Sequence, residues 1–147
     1  TSKEALDAAY AATKEPVEVF AGTISFADKA NRVSFSTSKQ VWSQNGITVT
    51  NNKDKSTSNV ADYANPVRFY KSSQVVVEHE KKISKIVIKT TGGEKYQILA
   101  GDAFAGAELT VSGTTATLVL AEATNSYSFS CSGRQLRVES IDVYVLE

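Results

Sequence analysis

The densest group of side chains that could hold a ligand lies in one nine-residue stretch, Asp62–Tyr70. It supplies an aromatic ring, an amide, a guanidinium and a phenol, on Tyr63, Asn65, Arg68 and Tyr70. A polyhydroxylated ligand such as a glycan needs hydrogen-bond donors and acceptors together with a flat apolar surface for stacking. This mixture of side chains offers both, so we expect a ligand-binding surface here.

Alternation along the same stretch predicts which of these side chains reach solvent. If Val67 and Phe69 face a core, then Arg68 and Tyr70 share the outer face of the strand. The alternative is purely structural: Asn65-Pro66 shapes a turn, and Arg68 stacks on Tyr70 or pairs with a neighbouring glutamate.

Trp42 is the only tryptophan in the chain. Exposed Trp rings stack on sugars, so Trp42 is a further candidate for ligand binding. It also lies at the start of a predicted strand, where a lone Trp commonly packs in a core or forms a hydrogen bond at its boundary. Both interpretations stay open at this stage.

Side-chain oxygens in and around the long irregular stretch 51–66 could in principle bind Ca²⁺, which takes six to eight oxygen ligands. The candidates are Asn51, Asn52, Asp54, Asn59 and Asp62. Their spacing matches no calcium-loop signature, and Lys53 and Lys55 would repel a cation. Asp28 and Asn31 are a second, comparably weak candidate. We therefore expect a solvated loop and no cofactor, with a structural Ca²⁺ as the minor alternative.

Catalytic residues are not evident in the sequence. His79 is the sole histidine, and Cys131 is the sole cysteine, so a zinc site would need carboxylates from distant strands. His79 stands between Glu78 and Glu80 in a regular strand, and no serine has a nucleophile-elbow context. We expect Cys131 to be buried and inert. We also expect that the protein is not an enzyme, although the sequence leaves open a glycosidase-like pair of carboxylates that folding brings together.

Composition limits the classes of partner. The 147 residues suit one domain, and 16 Lys plus Arg balance 16 Asp plus Glu, which gives no electrostatic case for nucleic acid. No apolar run approaches the ~20 residues that span a bilayer, so membrane insertion is not expected. The sequence starts at Thr1 and has no Met, so we expect an exported protein, extracellular or on a cell surface, whose signal peptide is not part of this sequence.

The elements that would position these residues are short and numerous. Short apolar segments alternate with turn-forming residues from about Gly22 onward, which predicts an antiparallel β-sandwich over residues 17–147. Residues 1–16 predict a short helix or linker, ended by Pro16. The apolar positions 83, 86 and 88, and again 138, 141, 143 and 145, contain one step of three, which predicts a β-bulge in each strand.

The sequence also predicts individual strands and turns. Asn45-Gly46 indicates a hairpin turn, whereas Glu80-Lys-Lys82 and Gly93-Glu-Lys95 are charged enough to be solvated turns. The predicted strands are Val17–Ala27, Val33–Phe35, Val41–Trp42, Ile47–Thr50, Val67–Tyr70, Val75–His79, Ile83–Thr90, Tyr96–Leu99, Leu109–Val111, Ala116–Leu120, Tyr127–Cys131 and Leu136–Leu146.

Several of these runs resemble β-sandwich modules of secreted multidomain proteins from gut-type bacteria. The runs that carry the resemblance are Gly22–Asp28, Val41–Val49, Asn65–Lys71, Ile83–Ile86 and Leu136–Val143. Such modules are similar to galactose-binding-like jelly rolls, the architecture of many carbohydrate-binding modules. The resemblance implies a glycan or surface polysaccharide as ligand and other domains of the same polypeptide as neighbours. A structural, adhesion or protein-interaction module without a small ligand is the alternative.

Overall fold

A computed structural model describes residues 16–62 and 66–147, and in these ranges the chain is all-β with antiparallel pairing throughout. One 3₁₀ turn, Lys29–Asn31, precedes the second strand. No helix in the described ranges has the length and apolar character needed to cross a membrane. The predicted helix or linker of residues 1–16 lies, apart from Pro16, outside the described residues. The strands are β1 (Glu18–Ser25), β2 (Arg32–Phe35), β3 (Lys39–Gln44), β4 (Ile47–Asn52), β5 (Val67–Phe69), β6 (Gln74–Thr90), β7 (Ala107–Ser112), β8 (Thr115–Ser130) and β9 (Leu136–Leu146).

The strands form one hydrogen-bonded sheet that curls into two halves, giving the predicted sandwich-like fold. One half contains β2, β3, β4 and the first part of β6, which pairs with the last part of β8. The other half contains β1, β9, the second part of β6, the first part of β8, and β7. β6 and β8 therefore run through both halves, and β5 adds to the start of β9.

The apolar side chains of both halves meet in one core. Phe26, just after β1, contacts Trp42 edge-to-face at a ring-centroid distance of 5.2 Å and Phe69 at 6.1 Å. All three rings are fully buried. Burial of side chains of this size contributes about 1.5–3 kcal/mol each, so these contacts between the halves stabilise the curl.

The predicted bulges are confirmed. In β6 the pairing register shifts between Ile83 and Lys85, and in β9 an extra residue stands between Val138 and Ser140. Each shift returns the following apolar residues to the core face, which is why the sequence period slips there. β1 has a third register shift, between Phe20 and Gly22.

Four features of the predicted secondary structure were wrong. Glu80-Lys-Lys82 is not a turn but the middle of β6. The two predicted strands Ala116–Leu120 and Tyr127–Cys131 belong to the single strand β8, whose connecting residues are mostly polar. Tyr96–Leu99 forms no strand. Asn51 and Asn52, expected in a solvated loop, instead end β4.

The Asn45-Gly46 turn is confirmed as the connection between β3 and β4. Its two residues have φ of 54° and 76°, as a two-residue type I′ hairpin requires. Gln44 and Ile47 are directly paired on either side of it.

Candidate functional site

The short strand β5 presents its side chains as predicted. Val67 and Phe69 are fully buried, whereas Arg68 and Tyr70 lie on the other face and are partly exposed. The Asn51 side chain donates a hydrogen bond from Nδ2 to the Arg68 carbonyl oxygen, 3.1 Å away. This contact ties β5 to the end of β4 and fixes the side from which Arg68 projects.

Pairing with β9 places a second arginine beside the first. Arg68 is directly opposite Arg137 in the register, between the buried pairs Val67–Val138 and Phe69–Leu136. Since the flanking side chains point into the core, both guanidiniums project from the outer face. Sequence reasoning missed Arg137, because its alternation with Leu136 and Val138 shows that it faces outward but not which strand is its neighbour.

Arg137 is held in place by uncharged groups. Its guanidinium carbon lies 3.7 Å from the centroid of the Tyr96 ring, and its Nε donates to Gln135 Oε1 at 2.9 Å. The Arg137 backbone N–H also donates to the Tyr96 carbonyl oxygen at 3.0 Å. Tyr96 is therefore fixed next to Arg137 although its own segment forms no strand.

These side chains make up one surface, which we call the β5–β9 face. Tyr70 and Gln135 lie one step beyond the paired Phe69 and Leu136. Tyr70 forms no side-chain hydrogen bond or ring contact with the described part of the chain, so its partly exposed ring is available. The members of the β5–β9 face are Arg68, Tyr70, Tyr96, Gln135 and Arg137.

The other predicted ligand-binding residues do not join this face. Trp42 as a ligand platform was wrong: its side chain has 0% exposure and packs against Phe26, so it offers no ring face to a ligand. The core interpretation of Trp42 is the one that the structure shows. Tyr63 and Asn65 lie outside the described residues.

Several of the residues considered for Ca²⁺ form side-chain contacts within the protein. Asp62 pairs with Arg32 and with Lys29, and hydrogen bonds from these two groups, Arg32 first, lower the pKa of its carboxyl. Asp28 accepts a hydrogen bond from the Ala30 N–H, and Asn31 donates to the Ser25 carbonyl oxygen. Among the described residues, no three or more His, Cys, Asp or Glu side chains lie together as a metal site would require.

A concave region surrounds His79. Two adjoining clefts of about 280 and 310 Å³ share Gly46, His79 and Glu80. Several of the lining groups are occupied within the protein: His79 Nδ1 accepts a hydrogen bond from the Lys81 N–H at 2.9 Å, and Asn125 Nδ2 donates to the Glu80 carbonyl oxygen at 2.8 Å. We therefore regard this region as the weaker candidate.

Cys131 is buried, as expected. Burial, with a smaller contribution from the nearby Asp102 carboxylate, raises the pKa of its thiol to about 12. A thiol with so high a pKa is not a nucleophile near neutral pH.

Comparison with known proteins identifies no relative of this chain. No protein-family model matches the chain, and no curated protein and no solved structure matches it significantly.

Proposed function

We propose that this protein is a non-catalytic glycan-binding module of an exported bacterial protein. The observation that carries the proposal is the β5–β9 face, where two tyrosine rings, two guanidiniums and an amide lie on one outer surface. Two of the residues expected to bind ligand, Arg68 and Tyr70, belong to it.

The chemistry of this face suits a sugar. Aromatic rings stack on the apolar face of a pyranose, while guanidinium and amide groups form hydrogen bonds with its hydroxyls and ring oxygens. Tyr96 is already stacked on one side by Arg137, so Tyr70 is the ring more open to a ligand. A surface of this kind binds a chain of sugars along its length rather than enclosing a single small molecule.

Three described carboxyl groups, all outside the β5–β9 face, are kept ionised by neighbouring hydrogen-bond donors. The pKa values of Glu18, Asp62 and Glu147 are all lowered, by hydrogen bonds from Ser84, Arg32 and Lys81 respectively, with further contributions from lysines. A general acid in glycoside hydrolysis needs the opposite shift.

The wider context belongs to the same proposal. The module would be a galactose-binding-like jelly roll, extracellular or on the cell surface, and joined to other domains of its polypeptide. Its ligand would be a glycan or surface polysaccharide. The sandwich-like fold and the outward arginine–tyrosine surface are consistent with this assignment.

Glycan-array screening of the intact chain, followed by calorimetry on any hit, tests the proposal. We expect Tyr70→Ala to weaken glycan binding roughly tenfold, since stacking on one aromatic ring contributes on the order of 1–2 kcal/mol. Phe20→Ala is the matched control, because the Phe20 ring is 54% exposed and lies against Tyr144 near the opposite end of β9. Absence of any glycan ligand, or equal binding by wild type and Tyr70→Ala, would contradict the proposal.

A protein-interaction or adhesion module is the second candidate, and exposed apolar residues on β2 favour it. Val33 is 66% exposed and Phe35 is 37% exposed on this strand, which pairs only with β3. Terminal strands of this kind can add a strand from another chain. A negative glycan array, together with self-association or partner binding that Val33→Lys removes in sedimentation experiments, would favour this candidate.

A further inference from the structure

We propose that a second glycan-binding site, which we call the β6–β8 groove, takes an extended chain of uncharged sugars. This inference rests on the proposed glycan-binding function and adds a site that shares no residue with the β5–β9 face. The groove is lined by short hydroxyl side chains, an amide and a carboxylate, on Thr48, Gln74, Glu78, Ser126, Ser128 and Ser130.

The sheet register places these side chains next to one another. In the ladder between β6 and β8, Gln74 is directly opposite Ser130, and Glu78 is directly opposite Ser126. On the other side of β6, Thr48 of β4 is directly opposite Glu78. Residues that are directly opposite in an antiparallel ladder project from the same face, with Cβ atoms about 4.5–5.5 Å apart.

The alternation along β8 shows that its serines face outward. Tyr127 and Phe129 are buried in the core, whereas Ser126, Ser128 and Ser130 are exposed. Alternate residues of a strand share a face, so the three hydroxyls form a row with a spacing of about 7 Å.

Two clefts open along this row of hydroxyls. The larger, of about 340 Å³, is lined by Gln74, Ser128 and Ser130, and the smaller, of about 280 Å³, by Glu78 and Ser126 among others. Ser126 and Ser128 are neighbours on the outer face, so the two clefts lie end to end. The strand between Ser126 and Ser130 alone spans about 13 Å, which is longer than a single sugar ring.

One side of the larger cleft is a wall that contacts with the core hold in place. Ala103 and Ala105 line this side. The Tyr127 hydroxyl donates to the Ala105 carbonyl oxygen at 2.9 Å, and the Phe104 and Phe129 ring centroids are 5.2 Å apart. The wall is therefore formed before a ligand arrives, which lowers the cost of ordering the site on binding.

The serine hydroxyls of the groove are not used within the described chain. The side chains of Ser126, Ser128 and Ser130 form no hydrogen bond with a described residue. On the outer face of the other half, by contrast, the Thr23 hydroxyl donates to Asp142 at 2.6 Å. A serine hydroxyl both donates and accepts, and its short side chain loses little conformational freedom on binding. A row of such groups suits a ligand that is itself rich in hydroxyls.

The charge of the groove favours an uncharged chain of sugars. Glu78 and Glu80 line the smaller cleft, and neither forms an ion pair with a described residue. No Lys or Arg of the described chain lines either cleft. The carboxylates would repel a glycan that carries carboxylate or sulfate groups.

The test is calorimetric titration of the intact chain with neutral hexasaccharides derived from cellulose, mannan or xylan, and with a galacturonate hexasaccharide. We expect at least one neutral hexasaccharide to bind, and the galacturonate to bind roughly tenfold or more weakly, because of the like charge. Titration of the neutral hexasaccharide followed by NMR should shift the backbone amide signals of Ser128 and Ser130.

Variants connect this binding to the groove. Ser128→Ala/Ser130→Ala should weaken binding of the neutral hexasaccharide about tenfold, because each lost hydrogen bond weakens binding several-fold. Thr110→Val/Ser112→Ala is the matched control, since it removes two exposed hydroxyls with the same spacing on β7. Each pair is also made in the Tyr70→Ala background, which weakens the β5–β9 face. Thermal unfolding of each variant checks that it is folded.

The outcomes separate this inference from the proposed function. Equal binding by wild type and Ser128→Ala/Ser130→Ala, or tighter binding of the galacturonate, overturns the inference and leaves glycan binding at the β5–β9 face standing. Binding that the serine variant loses and Tyr70→Ala keeps supports the groove and contradicts the β5–β9 face. If no hexasaccharide binds, the inference is overturned, and the glycan array alone decides the proposed function.

Discussion

Gly22 lies so close to Asn45 that a Cβ added at Gly22 would stand 2.8 Å from the Asn45 Cβ. The Asn45 side chain in turn donates from Nδ2 to the Thr23 carbonyl oxygen at 2.9 Å. The β1 bulge and the β3–β4 turn are thus packed against each other at a point where only glycine fits.

Gly22→Ala should therefore destabilise the protein. Its φ of +148° is a conformation that residues with side chains rarely adopt, and the new methyl group would contact Asn45. We expect a loss of about 1–3 kcal/mol in the free energy of unfolding, measured by chemical denaturation. Gly92→Ala is the control, because its added Cβ would meet nothing within 4 Å. Equal stabilities of the two variants would show that the Gly22–Asn45 contact is not as close as described.

The single Trp42 provides a direct test of the core. Because the side chain is fully buried, its fluorescence emission should be blue-shifted and weakly quenched by acrylamide in the native state. Quenching should rise to that of a free tryptophan on unfolding in guanidinium chloride. Efficient quenching in the native protein would place Trp42 at the surface and restore it as a candidate for sugar stacking.

A polar pair inside the sandwich should show strong energetic coupling. Gln40 and Asn51 are opposite each other on β3 and β4, are almost fully buried, and share a hydrogen bond of 3.4 Å from Asn51 Nδ2 to Gln40 Oε1. Gln40 Nε2 and Asn51 Oδ1 have no hydrogen-bond partner among the described residues. Asn51→Leu should cost about 1–3 kcal/mol, because it also removes the donor to the Arg68 carbonyl oxygen.

Replacing both Gln40 and Asn51 should lower the free energy of unfolding by less than the sum of the losses in the two single variants. The double variant Gln40→Leu/Asn51→Leu leaves neither amide buried without its partner. Equilibrium unfolding of the wild type, both single variants and the double variant gives the coupling energy. Additive losses would mean that the two amides do not interact.

Cys131 should make stability depend on pH in the alkaline range. Its thiol has an ordinary pKa of 9.0, which the fold raises to about 12, so the unfolded chain loses the proton first as pH rises. This contribution to stability is fully present below pH 9 and is lost progressively between pH 9 and 12. The wild type should therefore lose stability relative to Cys131→Ala across that window, and denaturation at several pH values measures the difference. A constant difference between the two proteins would show that the thiol titrates normally.

The local sequence pattern was sufficient to predict a strand and its buried face where that face is buried along the whole strand. The bounds of β9 and its bulge follow from the positions of Leu136, Val138 and Ile141, since each must return to the core. The inward Val67 and Phe69 follow in the same way. In these strands alternate residues are buried, so apolar residues recur in the sequence with a period of two.

The local pattern failed to predict strand residues where a strand passes from one half of the sheet to the other. Glu80–Lys82 of β6 and the polar middle of β8 have little core to face there, so no apolar period marks them as strand. The pairing of Arg68 with Arg137 could not be predicted either, because the chain separates β5 from β9 by many residues. Which strands pair with each other depends on the topology of the whole sheet. The alternation of residues within one strand carries no information about that topology.

The passage of β6 and β8 through both halves has a mechanical consequence. Backbone hydrogen bonds, and not only side-chain packing, join the two faces of the sandwich, so neither face can detach while the other keeps its strands. We expect pulling on the ends of this domain to produce a single rupture event rather than stepwise peeling. A module that bears tension between a surface and a tethered polymer would benefit from such all-or-none resistance.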